Sequence, residues 1–192
     1  MMKLGLFLAG TGHHIASWRD PGVASDANAN LRQYIEVTQT AERALFDFVF
    51  NADSNSTFGP DDPEMWKRTA VAMRIEPLTL LGALAAVTSH IGLISTATTT
   101  YLDPFHVARM FATLDQLSQG RVGWNVVTSS AASEAFNFSH DKHAAHAEFF
   151  CNHARDRRAH ATKWNQSKFT RVVSAFHRDR AHGGCAMRRK HG

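Results

Sequence analysis

Four short apolar runs alternate along this chain with stripes of helical period, and the segments joining them are lopsided in length. Lys3–Gly10 (KLGLFLAG), Phe48–Ala52 (FVFNA), Ile91–Thr99 (IGLISTATT) and Arg121–Thr128 (RVGWNVVT) read as buried strands. Between them, Leu31, Tyr34, Ile35, Thr38, Ala41 and Leu45 recur at helical spacing, so Asn30–Phe46 is a predicted amphipathic helix. Glu76–Ser89 is an apolar helix with Pro77 in its first turn, where a missing N–H costs nothing. A third helix opens on Asp103-Pro104, carries Phe105, Ala108, Phe111 and Leu114 on one stripe, and stops at Gly120. Helix-to-strand connections then span one to three residues, whereas the strand-to-helix segments ending at Asn28 and spanning Asp53–Ile75 run to about twenty. Parallel strands need crossover helices of this kind. Long loops on one side only then gather at the C-terminal ends of the strands, where barrel active sites are built. Four βα units are about half of an eight-stranded barrel, which typically takes ~250 residues. On period alone, an open doubly wound sheet competes with that reading.

Composition separates the chain into two parts. Of its 192 residues, 1–148 carry 10 Lys+Arg against 15 Asp+Glu, and 149–192 carry 11 against 2, which together give the net charge of +4. The basic character therefore belongs to the tail, as do both cysteines, Cys151 and Cys185. Two cysteines make no disulfide framework, and a cytoplasmic location is the default expectation. No apolar run reaches the roughly 18 residues that cross a bilayer, so no membrane association is expected. The run after Lys3 is too short, and too poor in cleavage-like residues, for a signal peptide.

The segments KLGLFLAGTGHH, FVFNADS, EPLTLLGALAAVTSHIGLISTATTTYLDPFHVARMFATLDQLSQGRVGWNVVTS and NFSHDKHAAHAE together resemble one family. It is the bacterial-luciferase-like flavin-dependent monooxygenases, in the branch of the nitrilotriacetate and sulfone monooxygenases. The resemblance runs from Lys3 to Glu148 and is most specific over Glu76–Ser129. It implies a TIM-type (β/α) barrel, of which 1–148 would be the N-terminal half, with FMN at the C-terminal face. It further implies reduced FMN supplied by a separate NAD(P)H:flavin reductase, O₂ and a small organic molecule as co-substrates, and a homo-oligomer. By position, Asp53 matches a flavin-contacting aspartate, Thr98 a threonine near the ring, and His146 the histidine of a His-x-x-x-Tyr element at the phosphate end. Asn125 and Ser129 are weaker candidates for the same mouth. The resemblance breaks where the tyrosine should stand four residues after His146, because Phe150 stands there without the hydroxyl.

Other readings of the same residues compete with this one. Gly10-Thr11-Gly12 follows a strand as a dinucleotide loop would, but its third glycine is missing and no helix starts at once. The stretch from His143 holds His143, His146, Cys151, His153 and His160, yet lacks the paired spacings of a structural zinc site, so no metal is expected. A nucleic-acid-binding arm would use the tail's charge with Trp164 and Phe169, but the arginines are scattered and not arrayed on one face, so no nucleic-acid partner is expected. A deazaflavin-dependent oxidoreductase of the same superfamily is the nearer alternative enzyme. The abrupt change at residue 149 fits a reading-frame change or a foreign terminus best; sequencing the encoding DNA, and finding no frame that restores the (β/α) pattern, would remove that idea. A half barrel with such a tail is expected to bind FMN weakly or not at all, and its activity is in doubt.

Overall fold

The computed structural model describes residues 2–14, 16–24, 26–57, 63–69 and 74–143. Four strands, β1 (Gly5–Phe7), β2 (Phe48–Asn51), β3 (Gly92–Thr98) and β4 (Val122–Val127), form one sheet in the order β1-β2-β3-β4. Every pairing is parallel, with Phe7 level with Phe50, Ile94 with Phe50, and Gly123 with Ile94. The main crossovers are α1 (Leu31–Arg43), α3 (Pro77–Ala85) and α4 (Pro104–Leu117), with the short α2 (Pro63–Trp66) and α5 (Glu134–Asn137) in the loops after β2 and β4. A doubly wound sheet reverses its strand order at a switch point and takes helices on both faces. Here the order never reverses, and α1, α3 and α4 pack side by side against one face. The observed architecture is therefore that of consecutive βα units of a barrel wall.

The helix starts are set by local chemistry. Asn30 accepts from the backbone N–H groups of Arg32 and Gln33 at 3.1 and 3.4 Å, and Asp103 from those of Phe105 and His106 at 2.9 and 3.4 Å. Glu76 caps α3 with both carboxylate oxygens, at 2.9 Å from Leu78 N and 2.6 Å from Thr79 N. Each cap satisfies donors that the first turn leaves unpaired. At the other end of α4, Gln119 and Gly120 turn left-handed at φ 57° and 83°, and Gly120 N–H returns to the Asp115 carbonyl at 2.9 Å. That is the stop expected at Gly120, preceded by one residue that is not glycine.

The elements are shorter than their apolar runs, so the helix-to-strand connections hold four to six residues where one to three were expected. The segment after α3 shows why. Its carbonyls are taken by the Arg121 guanidinium, which donates to Ala85 O, Thr88 O and Ile91 O at 3.1, 3.0 and 2.8 Å. Its N–H groups at Ser89, His90 and Ile91 all donate to Glu42 Oε1, at 2.9, 2.6 and 3.0 Å. Two side chains thus replace a helical turn in satisfying the backbone.

The core lies between sheet and helices. Val49, Leu93, Ala97, Val122 and Trp124 point from the strands onto Leu80, Leu81 and Leu84 of α3 and Val107, Phe111 and Leu114 of α4. Phe111 and Trp124 meet at 5.2 Å between ring centroids, and the indole N–H donates to Ala97 O at 3.0 Å. Leu81, Leu84, Leu93 and Phe111 are fully buried, each contributing about 1.5–3 kcal/mol by leaving water. Strand alternation puts Phe7, Phe48, Phe50, Ile94 and Val127 on the opposite face, where Phe7 is 42% exposed. No helix among the described residues covers that face.

Candidate active site

The C-terminal ends of β2, β3 and β4 open into a cavity of about 280 Å³. Its wall comes from the segment after β2 (Ala52 to Asn55), from Thr96 and Thr98 of β3, from Asn125 and the residues that leave β4, and from Glu134. A strand delivers alternate side chains to one face, so Thr96 and Thr98, two apart on β3, arrive together. Asn125 is level with Thr96 in the register and donates from Nδ2 to Thr96 Oγ1 at 3.0 Å.

Four of the five sequence-predicted residues converge here. Asp53, Thr98, Asn125 and Ser129 all line the cavity. His146 and its Phe150 neighbour lie outside the described residues. Burial, first, pushes the Asp53 carboxyl up to about 6, with Glu76 and Glu134 adding like charge and the Ser54 N–H and Arg74 opposing. A half-desolvated acid disfavours its charged form, and carboxylates nearby disfavour it further.

The residue that sequence reasoning missed is Glu134. It is 3% exposed, among the most buried polar groups of the described chain. Its Oε2 accepts from Ser129 Oγ at 2.6 Å and its Oε1 from Ser54 Oγ at 3.2 Å. Ser129 Oγ lies 2.9 Å from Thr98 Oγ1, and Ser129 N–H donates to Thr100 Oγ1 at 2.8 Å. Thr100 N–H in turn donates to Thr98 Oγ1 at 3.2 Å. One carboxylate thereby ties together the loops after β2 and β4 and the end of β3. Ser133 to Ser56 at 3.0 Å and Asn137 to the Asn55 carbonyl at 2.6 Å reinforce the same seam. In the sequence, Glu134 is one acid in a Ser/Ala-rich loop, and no periodicity marks it as buried. The available cue was its place just beyond the C-terminal end of a strand.

Two other stretches resolve differently from the site. Gly10-Thr11-Gly12 forms a packed turn. A Cβ on Gly10 would lie 2.3 Å from the Ala27 carbonyl oxygen, Thr11 N–H donates to Asn28 Oδ1 at 3.0 Å, and Gln33 Nε2 donates to Gly10 O at 2.6 Å. Glycine is required there by close backbone approach, not by a phosphate. His143 sits beside Tyr101, with the phenol oxygen 2.7 Å from its Nδ1, and Tyr101 stacks on Phe138 at 5.2 Å. The described part of the histidine-rich stretch thus joins an aromatic group next to the β3 end.

The cavity lining offers hydroxyls, two amides and two carboxyl groups, and among the described residues no basic side chain. Such a wall suits a neutral, hydrogen-bonding heterocycle. It offers a phosphate no cationic partner among the described residues.

A family model described as luciferase-like monooxygenase matches residues 3–150. The N-acetyl-S-(2-succino)cysteine monooxygenase of Bacillus subtilis (strain 168) is 57% identical over 145 residues, covering 76% of this chain and 32% of that protein. The nitrilotriacetate monooxygenase component A of Aminobacter aminovorans is 43% identical over 153 residues, covering 77% and 34%. Among solved structures, a riboflavin lyase with modified FMN and riboflavin superposes with a TM-score of 0.73 at 31% identity, covering 81% of this chain and 36% of that one. The chain spans about a third of the length of the relatives it matches.

Proposed function

The chain belongs to the luciferase-like monooxygenase family, and from that premise we propose that the cavity at the ends of β2, β3 and β4 receives the ring system of FMN for a monooxygenation. The observation that carries this reading is the composition of the wall. Hydroxyl, amide and carboxyl groups stand beside Ala52 and Val127, a mixture that matches a flat heterocycle with one polar edge and one apolar edge. Asp53, Thr98, Asn125 and Ser129 are the residues that would hold and orient the ring. The phosphate end falls to groups away from this acidic wall, and His146 is the residue proposed for it. A flavin when bound supplies the oxygen chemistry, and the protein's share is positioning, tuning and exclusion of water.

Reduced FMN from a separate flavin reductase, O₂ and a small organic substrate complete the proposed reaction. The name of the Aminobacter relative, a component A, supports a two-component arrangement. With four βα units among the described residues to form the site, these residues present one side of the ring's surroundings, so the affinity for FMN is expected to be weaker than micromolar. Fluorescence titration of FMN into the full 192-residue chain tests this. Weak saturable binding, reduced further by Asp53→Ala and by Thr98→Ala, is the expected result. Failure of FMN to bind at any concentration would refute the reading. Oxygen consumption coupled to a flavin reductase, on this chain and on one extended to the length of its relatives, then separates binding from turnover.

A further inference from the structure

Two carboxyl groups, Asp53 and Glu134, line one cavity whose wall holds no basic side chain among the described residues. Their hydrogen bonds set them apart. Glu134 is 3% exposed, and both of its oxygens accept, Oε2 from Ser129 Oγ at 2.6 Å and Oε1 from Ser54 Oγ at 3.2 Å. Acceptance on both oxygens is the pattern of a carboxylate. Glu76 shows the same pattern, capping α3 with one oxygen to Leu78 N–H and the other to Thr79 N–H. Asp53 has a single donor among the described residues, the Ser54 N–H. The charged groups that face it are Glu134 from the loop after β4, Glu76 at the start of α3, and the exposed Arg74 just before it. Two acids against one solvated cation, in a site that half excludes water, disfavour a further negative charge.

We propose that Asp53 receives the flavin ring as a protonated, uncharged acid, with Glu134 as the buried negative charge that keeps the proton on it. The proposal rests on the FMN reading above. It does not depend on which edge of the ring faces Asp53. The oxidised ring is uncharged, so laying it over the group expels water and brings no cation, and the ionised form loses further. A protonated carboxyl keeps one O–H donor and an acceptor oxygen, so it matches either kind of ring atom. Glu134 touches no ligand in this scheme and is a positioning residue for the Asp53 proton.

The sign of the pH dependence follows. The Asp53 carboxyl titrates at about 6. Below that value the binding form is already present; above it the site must take up a proton to bind, and affinity falls. Fluorescence titration of oxidised FMN into the full 192-residue chain, from pH 5 to pH 8, measures this for the wild type and for Asp53→Asn. Asparagine keeps the shape, the neutrality and a donor of the protonated acid. A phosphate monoester also titrates near 6, but the FMN phosphate is common to both proteins, so the ratio of their Kd values isolates Asp53. Circular dichroism at each pH shows that both are folded.

The ratio of wild-type to Asp53→Asn Kd is expected to be near one at pH 5 and to rise by about tenfold by pH 7. With both proteins carrying Glu134→Gln as well, the rise is expected to begin at lower pH, because a like charge has gone. A merely structural role for Asp53 would change Kd by the same factor at every pH. A ratio that is flat, or that falls as pH rises, therefore overturns the proposal and leaves the FMN reading intact. A rise that Glu134→Gln does not move overturns the part given to Glu134. Failure of the wild type to bind FMN even at pH 5 overturns the FMN reading, and the proposal with it.

Discussion

Asp53 and Glu42 show how differently two carboxyls in one chain are treated. Asp53 stands at the cavity, and burial with two neighbouring acids pushes it up to about 6. Glu42 meets some desolvation too, but N–H groups from His90, Ile91 and Ser89 overcome it and hold the carboxyl below its usual value. The signs of their contributions to stability are therefore opposite. Asp53 is raised in the folded state, so folding is favoured most below its unfolded value, and that favour is lost as pH rises from about 4 through 6. Asp53→Asn should remove this slope. At pH 7 it should stabilise the chain by on the order of 1 kcal/mol, after discounting for the water that reaches a half-buried group. Urea denaturation of both proteins at several pH values would show the two curves converging near pH 4; parallel curves would refute the assignment. Glu42 works the other way, so Glu42→Gln should matter above its usual pKa and cease to matter in acid.

Among the elements, the β-strands and their crossovers were legible because each strand carries apolar side chains on both of its faces and so writes a continuous apolar run, while helices write a 3.6-residue stripe. Phe111 and Leu114 were on the predicted stripe of α4 and are buried against β4. Phe111→Ala should cost about 3–5 kcal/mol through lost transfer energy and the cavity left beside Trp124, read as a fall in denaturation midpoint. Element ends were less legible, since they depend on tertiary partners. No local pattern announces that Arg121 reaches back to the carbonyl of the last residue of α3 and to two more beyond it, or that Glu42 gathers three N–H groups from the stretch that follows. Arg121→Met should therefore cost about 2–3 kcal/mol despite keeping the length of the side chain, because buried carbonyls lose a charged donor. The site divides along the same line. Asp53 and Thr98 sit where their strands end, which position and family resemblance both expose. Glu134 matters only because Ser54 and Ser129 close on it from loops 80 and 5 residues away.

At the scale of the whole molecule, the sheet has an asymmetry that its core does not share. One face is sealed by α1, α3 and α4, while the other carries Phe7, Phe48, Phe50 and Ile94 without a helical layer among the described residues. Among the described residues β1 and β4 each have one strand neighbour in the sheet order, so within that part of the chain backbone N–H and C=O groups line two open edges. Exposed edges beside apolar side chains recruit further strands. The relatives, about three times as long as the stretch they share with this chain, have the residues to supply neighbours within one polypeptide. The 192-residue chain is accordingly expected to self-associate as its concentration rises. Sedimentation velocity over a hundredfold range of concentration would show a rising average mass. Phe7→Lys, which places a charge on the open edge and removes the most exposed ring of that face, should lower the association without lowering the melting temperature. A wild-type chain that stays monomeric throughout the range would show that the apolar face is covered within the chain itself.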